Sequence, residues 1–221
     1  MDFSIIARQI IVSAFPILIA ITFHELSHGF VANKLGDPTA KMMGRLTLNP
    51  VAHIDPIGTI LMPLMLILLG SPIVFGYAKP VPINPMNFKN PKKDMAVSAA
   101  AGPITNLLLA FLSMLTLRLL IIPSAALFPE SLSVTVIEPL IMIFKSSVII
   151  NVVLAVFNMI PIPPLDGGRV LIGFLPYKHA VSFSKIEPYG FIIVIFLIAT
   201  GIANYFVLPL VNLFLTLLQL L

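Results

Sequence analysis

The sequence predicts an all-α protein, a polytopic membrane helix bundle of about four to six membrane segments, on three observations. Hydrophobic residues make up 58% of the 221 positions and charged residues only 10%. A soluble domain carries about 25% charged residues, so this chain could not cover a water-facing surface. Several apolar stretches approach or exceed the roughly 20 residues that span a hydrocarbon core, and polar, proline-rich loops separate them. The absence of Cys excludes disulfides and thiolate metal sites. The net charge of +4 is scattered; it suits a membrane surface and gives no support for nucleic-acid binding. No signal peptide is expected, because Arg8 interrupts the first apolar stretch and no small-residue cleavage site follows before His24.

The first span runs from about Ile5 to Phe30 and carries the polar run His24-Glu25-Leu26-Ser27-His28 in its second half. A polar stretch from Asn33 to Asp55 follows; its alternation Met43-Gly44-Arg45-Leu46-Thr47-Leu48 suggests a short β-strand. Ile57 to Leu69 is apolar but short and interrupted by Pro63. After a Pro- and Asn-rich loop, Ser71 to Asp94, Met95 to Ile122 makes a full span, and Pro139 to Ile160 makes another. Pro161-Ile162-Pro163-Pro164-Leu165-Asp166-Gly167-Gly168-Arg169 then breaks the helix. Tyr189 to Leu221 is too long for one straight span, and Gly201, Asn204 and Pro209 are expected to divide it. No internal repeat and no soluble domain is visible, so 1–221 reads as a single integral membrane domain.

Basic residues occupy loops 34–45, 79–93 and 169–185, whereas 123–137 has none. If basic loops face the cytoplasm, the spans between 95 and 160 run out and back, and the first span places His24 and His28 in its cytoplasmic half. The segment 57–69 then has basic loops on the same side at both ends, which predicts a re-entrant hairpin. Non-helical backbone at that depth requires protein or a water-filled cavity around it.

His24-Glu25-Leu26-Ser27-His28 fits H-E-x-x-H. Helical residues four apart differ by about 40° in direction, so both imidazoles share a face and can bind one Zn²⁺. Glu25 sits to the side of the metal, where a carboxylate can take a proton from water. A polar patch at a helix end is the plainer reading. It fits poorly, because apolar residues flank the motif on both sides and ionisable residues inside a span are costly and usually functional.

Zinc needs a third protein ligand. His53 beside Asp55 and His179 beside Lys178 read as solvated loop residues. Most acidic residues lie in polar loops beside Lys or Pro. Asp166 differs, because prolines precede it and Gly167-Gly168 follow. Either this irregular segment turns the carboxylate into a buried site, or Asp166 caps the helix that starts at Gly167.

These residues resemble the site-2 protease family of intramembrane zinc metalloproteases, which carries H-E-x-x-H in one span and N-x-x-P-x-P-x-L-D-G in a later one. The counterparts here are His24 to His28 and Asn158-Met159-Ile160-Pro161-Ile162-Pro163-Pro164-Leu165-Asp166-Gly167. Ala101-Gly102-Pro103-Ile104-Thr105-Asn106 resembles the small-residue segment that opens the span between them. The likeness covers about 15–175, with the C-terminal helices at about 189–221 outside it, and the sequence carries no PDZ insertion or CBS domain. It implies Asp166 as the third ligand and one Zn²⁺ per chain. It also implies an endopeptidase that cuts peptide bonds in or near transmembrane segments of membrane proteins, in regulated intramembrane proteolysis. The expected partners are the lipid bilayer and a transmembrane protein substrate. The expected location is the cytoplasmic membrane of a prokaryote, with the site toward the cytoplasm.

Asn106 and Asn158 are candidates for orienting a ligand, binding the oxyanion or holding substrate; helix–helix hydrogen bonding is the alternative for each. The Ser71–Asp94 loop and the Arg45–Leu48 strand offer edges on which extended peptide could pair. A cation transporter is the rival class. It predicts ligands spread along a path and no use for Glu25 as a base.

Overall fold

The computed structural model describes residues 3–68 and 76–220. Helix α1, Phe3–Lys34, contains the predicted first span. It ends in a Schellman turn: Gly36 N–H donates to Asn33 O and Asp37 N–H to Ala32 O, with Gly36 at φ +113°. Only glycine takes that left-handed geometry freely, which is why the helix stops there.

The connection from 35 to 55 is a polar platform with a single helical turn at Thr39–Met42 and another at Pro50–His53. Two expectations fail here. Residues 43–48 form no strand, and none occurs among the described residues. Arg45 instead uses its guanidinium to donate to Lys79 O and Pro80 O, so a side chain joins the two segments where a ladder was expected. His53 is buried at 1% exposure, with Nε2 2.9 Å from Thr47 O; it is a packing residue of the platform and not a solvated one. Asp37 is also buried. It accepts from Thr39 N, Thr39 Oγ1, Asn87 Nδ2 and Asn84 N, and so ties loop 84–87 to the end of α1. Burial of this carboxyl would raise its pKa, but the hydrogen bonds from Thr39, Asn87 and Asn84 outweigh that and hold it below the ordinary value.

Asp55 caps the next segment by accepting from Ile57 N and Gly58 N, with Pro56 at the first helical position. Pro56–Leu61 is wide-turned and leads into α2, Met62–Leu68. The chain then comes back to where it left: Tyr77 N–H donates to Gly58 O, Thr59 Oγ1 to Tyr77 O, and Lys79 N–H to His53 O. The two ends of the segment, 53–59 and 77–79, thus meet at the same platform, as a re-entrant hairpin requires. Residues 69–75 lie outside the described residues.

Helix α3, Pro91–Thr116, continues through a wide turn to Leu127, and α4, Glu138–Asn158, is preceded by helical turns from Glu130. Three short helices follow: α5 (Asp166–Phe174), α6 (Tyr177–Ser184) and α7 (Glu187–Ala199). The last helix is α8, Ile202–Gln219. Gly201, at φ +75°, makes the predicted break before α8, whereas Pro209 stays inside the helix. Among the described residues, four helices are long and apolar enough to cross a membrane, or five if α6 and α7, bent by 67°, count as one broken span.

Helix α3 is the centre of the bundle, packed on α4, α1 and α5. Small residues, among them Ala20, Ser98, Ala99 and Gly102, are buried between helices and let backbones approach. Ala110, Val152, Val156 and Val211 form a core where α3, α4 and α8 meet. Large apolar residues such as Leu108, Leu112 and Ile149 are exposed on the outside of the spans, where lipid is their solvent.

Candidate metal centre

His24 and His28 project from one face of α1 as the four-residue spacing dictates, and their rings meet edge to face with centroids 4.6 Å apart. Across from them, α3 presents Ser98, Gly102 and Asn106, again spaced by four and therefore aligned on one face. A Cβ on Gly102 would come within 2.5 Å of His28 Nε2 and 2.6 Å of His24 Cε1. The glycine is thus what allows the imidazoles to lie against α3.

The third group arrives from the bend after α4. Leu165 is the cap position of α5 and Asp166 its first helical residue, so the capping alternative does not describe Asp166. The bend is tight: a Cβ on Gly167 would strike Met159 O at 2.3 Å, and one on Gly168 would strike Pro163 N at 2.2 Å. The Asp-Gly-Gly sequence therefore lets α5 start against the bend, which delivers the carboxylate to the histidines.

Asp166 Oδ2 lies 3.1 Å from His24 Nε2 and 3.4 Å from His28 Nε2. Each of the three side chains offers an atom within 4.8 Å of the others, and each residue is 8% exposed. His28 Nδ1 is 2.8 Å from the Ser98 carbonyl, which can only accept, so the proton sits on Nδ1 and Nε2 keeps its lone pair. His24 Nδ1 faces Asn106 Oδ1 at 2.5 Å in the same manner. Asp166 Oδ2 is buried and forms no hydrogen bond despite its closeness to both rings. With both rings neutral and protonated at Nδ1, three lone pairs converge, an arrangement that suits a cation. Donors at about 2.0–2.1 Å from a tetrahedral Zn²⁺ stand about 3.3 Å apart, and two imidazoles with a carboxylate are a zinc donor set. The residues fit the metal.

Glu25 is half-buried on the same turn of α1, and its Oε2 accepts from Val81 N–H at 2.9 Å. The platform segment after the hairpin therefore fixes the carboxylate beside the site. Asn106 is completely buried against His24. Asn158 is not brought to the histidines; its amide donates to Leu154 O of its own helix at 2.9 Å. Sequence reasoning did not single out Ser98, Val81 or Asn151. Small and polar residues four apart in apolar helices, Ser98 with Gly102 and Asn106, and Ser147 with Asn151, were the available signal for two of them.

The family described as Peptidase family M50 matches residues 12–201. A Bacillus subtilis protein named "Putative zinc metalloprotease YwhC" is 38% identical over 199 residues, covering 89% of this chain and 84% of that protein. "Putative zinc metalloprotease Rip2" of Mycolicibacterium smegmatis is 28% identical, covering 85% of this chain and 66% of its own length. Its namesake in Mycobacterium tuberculosis strain H37Rv is 28% identical, with 83% and 65% covered. No solved structure matches the chain.

Proposed function

The chain belongs to peptidase family M50, the site-2 protease family of zinc metalloproteases, and from that premise we propose that it cleaves transmembrane protein substrates within the bilayer. The observation that carries the reading is the convergence of His24 Nε2, His28 Nε2 and Asp166 Oδ2 beside Glu25 in a bundle of membrane-length helices. In this reading His24, His28 and Asp166 hold the zinc, one ion per chain.

When bound there, zinc supplies Lewis acidity, polarising a carbonyl and making water a stronger acid. Glu25 takes a proton from the water that attacks the scissile carbonyl carbon. As the C–N bond breaks, it returns that proton to the leaving nitrogen. The Val81 N–H keeps the carboxylate aimed while it does so. Lone-pair donors gathered at one point favour this over a transporter, whose ligands would be spread along a path.

Peptide in a transmembrane helix must unwind before its carbonyl is accessible. The irregular backbone of 76–84 offers it an extended partner, and Asn158, half-buried at the end of α4, offers it a polar side chain. Basic loops at the His28 end of α1 and at the start of α3 support a cytoplasm-facing site in a prokaryotic plasma membrane. A comparison of host membrane proteomes carrying wild type or Glu25→Gln tests the reading. Fragments cut within transmembrane segments should vanish in the variant; cuts confined to soluble proteins would refute it.

A further inference from the structure

His24 ligates through Nε2 only if its proton sits on Nδ1, and the group facing Nδ1 imposes that choice. Here that group is the Asn106 side chain. An amide presents an acceptor at one end and donors at the other. With oxygen toward His24 it selects the ligating tautomer. Reversed, its NH₂ would face Nδ1 and leave the proton on Nε2, closing the ligand position.

What orients Asn106 lies on its far side. Its Nδ2 donates to Asn151 Oδ1 at 2.8 Å and to Ala20 O at 3.3 Å. Asn151 is itself an amide, and its nearest orienting group, a backbone carbonyl, can only accept. Its Nδ2 donates to the Ser147 carbonyl at 2.9 Å, one turn earlier on α4, with the Ser147 hydroxyl oxygen farther off at 3.3 Å. Both asparagines are 0% exposed, so no solvent is at hand to satisfy a reversed amide. The polarity therefore runs one way, from Ser147 O through Asn151 and Asn106 to His24. His28 needs no such relay, because its Nδ1 meets a backbone carbonyl directly.

We propose that Asn151 is a positioning residue of the metal centre: by orienting the Asn106 amide, it holds His24 in the Nδ1–H tautomer with Nε2 free for the metal. The inference rests on His24 being a ligand. The test is zinc affinity by chelator competition on the purified full chain in detergent. Asn151→Leu keeps much of the volume but removes the acceptor, and should weaken zinc by about 10–100-fold. Asn106→Asp provides the discriminating background. A carboxylate has no donor end to turn toward His24, so adding Asn151→Leu there should change zinc affinity by no more than about twofold. Wild-type affinity in Asn151→Leu, or an equal loss in both backgrounds, would overturn the proposal, the latter marking a packing role. His24→Ala run in parallel separates the two readings. Zinc retained there removes the ligand assignment itself, whereas zinc lost there but kept in Asn151→Leu removes only the relay. Should Asn151→Leu fail to fold, nitrogen-15 histidine spectra of the metal-free wild type decide. They should show His24 protonated at Nδ1, and an Nε2–H tautomer would overturn the relay.

Discussion

Replacing Gly102 with Ala adds one methyl group at the most crowded contact of the metal centre. The new Cβ would lie 2.5 Å from His28 Nε2 and 2.6 Å from His24 Cε1, where ordinary contact begins at 3.4 Å. The nearer ring must withdraw by 3.4 − 2.5, about 0.9 Å, whereas a working metal site tolerates about 0.2 Å in its ligand distances. Neither ring has room to spare, because Asn106 holds His24 at 2.5 Å and Ser98 holds His28 at 2.8 Å. Overpacking of this kind costs about 1–3 kcal/mol. If the strain falls on the zinc-bound arrangement, that is about a 5- to 150-fold loss of zinc affinity. Chelator competition on purified Gly102→Ala measures the loss, with thermal stability of the metal-free protein as the folding control. Wild-type zinc affinity in a folded variant would refute the close packing of α3 on the histidines.

Other outcomes follow from the same structure. Glu25→Gln should keep zinc and fold yet lose about 10²–10⁴ in cleavage rate, since an amide cannot accept the proton; wild-type turnover of a membrane substrate would exclude the role. Asp37, with its pKa held below the ordinary value of 3.8, contributes stability that is fully present above that value and lost as pH falls from there through the lower pKa of the folded state. Thermal unfolding in detergent should therefore shift downward in acid, and less so in Asp37→Asn; an identical acid shift in both would remove Asp37 as a source. Single cysteines replacing Lys41, Lys93 and Lys178 should react only from the cytoplasmic side, and one replacing Ser131 only from outside. Labelling at the Lys93 position from outside would make the hairpin a crossing.

The spans and the helix-bundle class were legible because apolar run length is a strong signal in lipid, where backbone groups must pair within the segment. The meeting of His24 and His28 was legible because a four-residue spacing is a statement about one helix face, and Glu25 because it adjoins His24 in the same motif. Asp166 was less so, since the same residues also suited a helix cap; the start of α5, with Leu165 at the cap position and Asp166 inside the helix, separates the two. His53, which reads as a solvated loop residue, is buried. It stands among polar neighbours in the sequence, and burial there arises from the platform folding over it, a long-range event that local polarity does not report. The alternation at 43–48 mimicked a strand, but Arg45 meets the 79–80 carbonyls through its side chain. Asn151 went unnoticed because a buried amide declares its purpose only through its partners.

The central claim is that His24, His28 and Asp166 together hold one zinc ion. Elemental analysis of the purified wild type, His28→Ala and Asp166→Asn tests it most directly. Asn preserves the shape of Asp166 but removes the charge that offsets Zn²⁺, and a residue that merely capped α5 would tolerate the change almost silently. The expected result is about one zinc per wild-type chain and little or none in either variant, with both still folded. Full zinc occupancy in Asp166→Asn would contradict it.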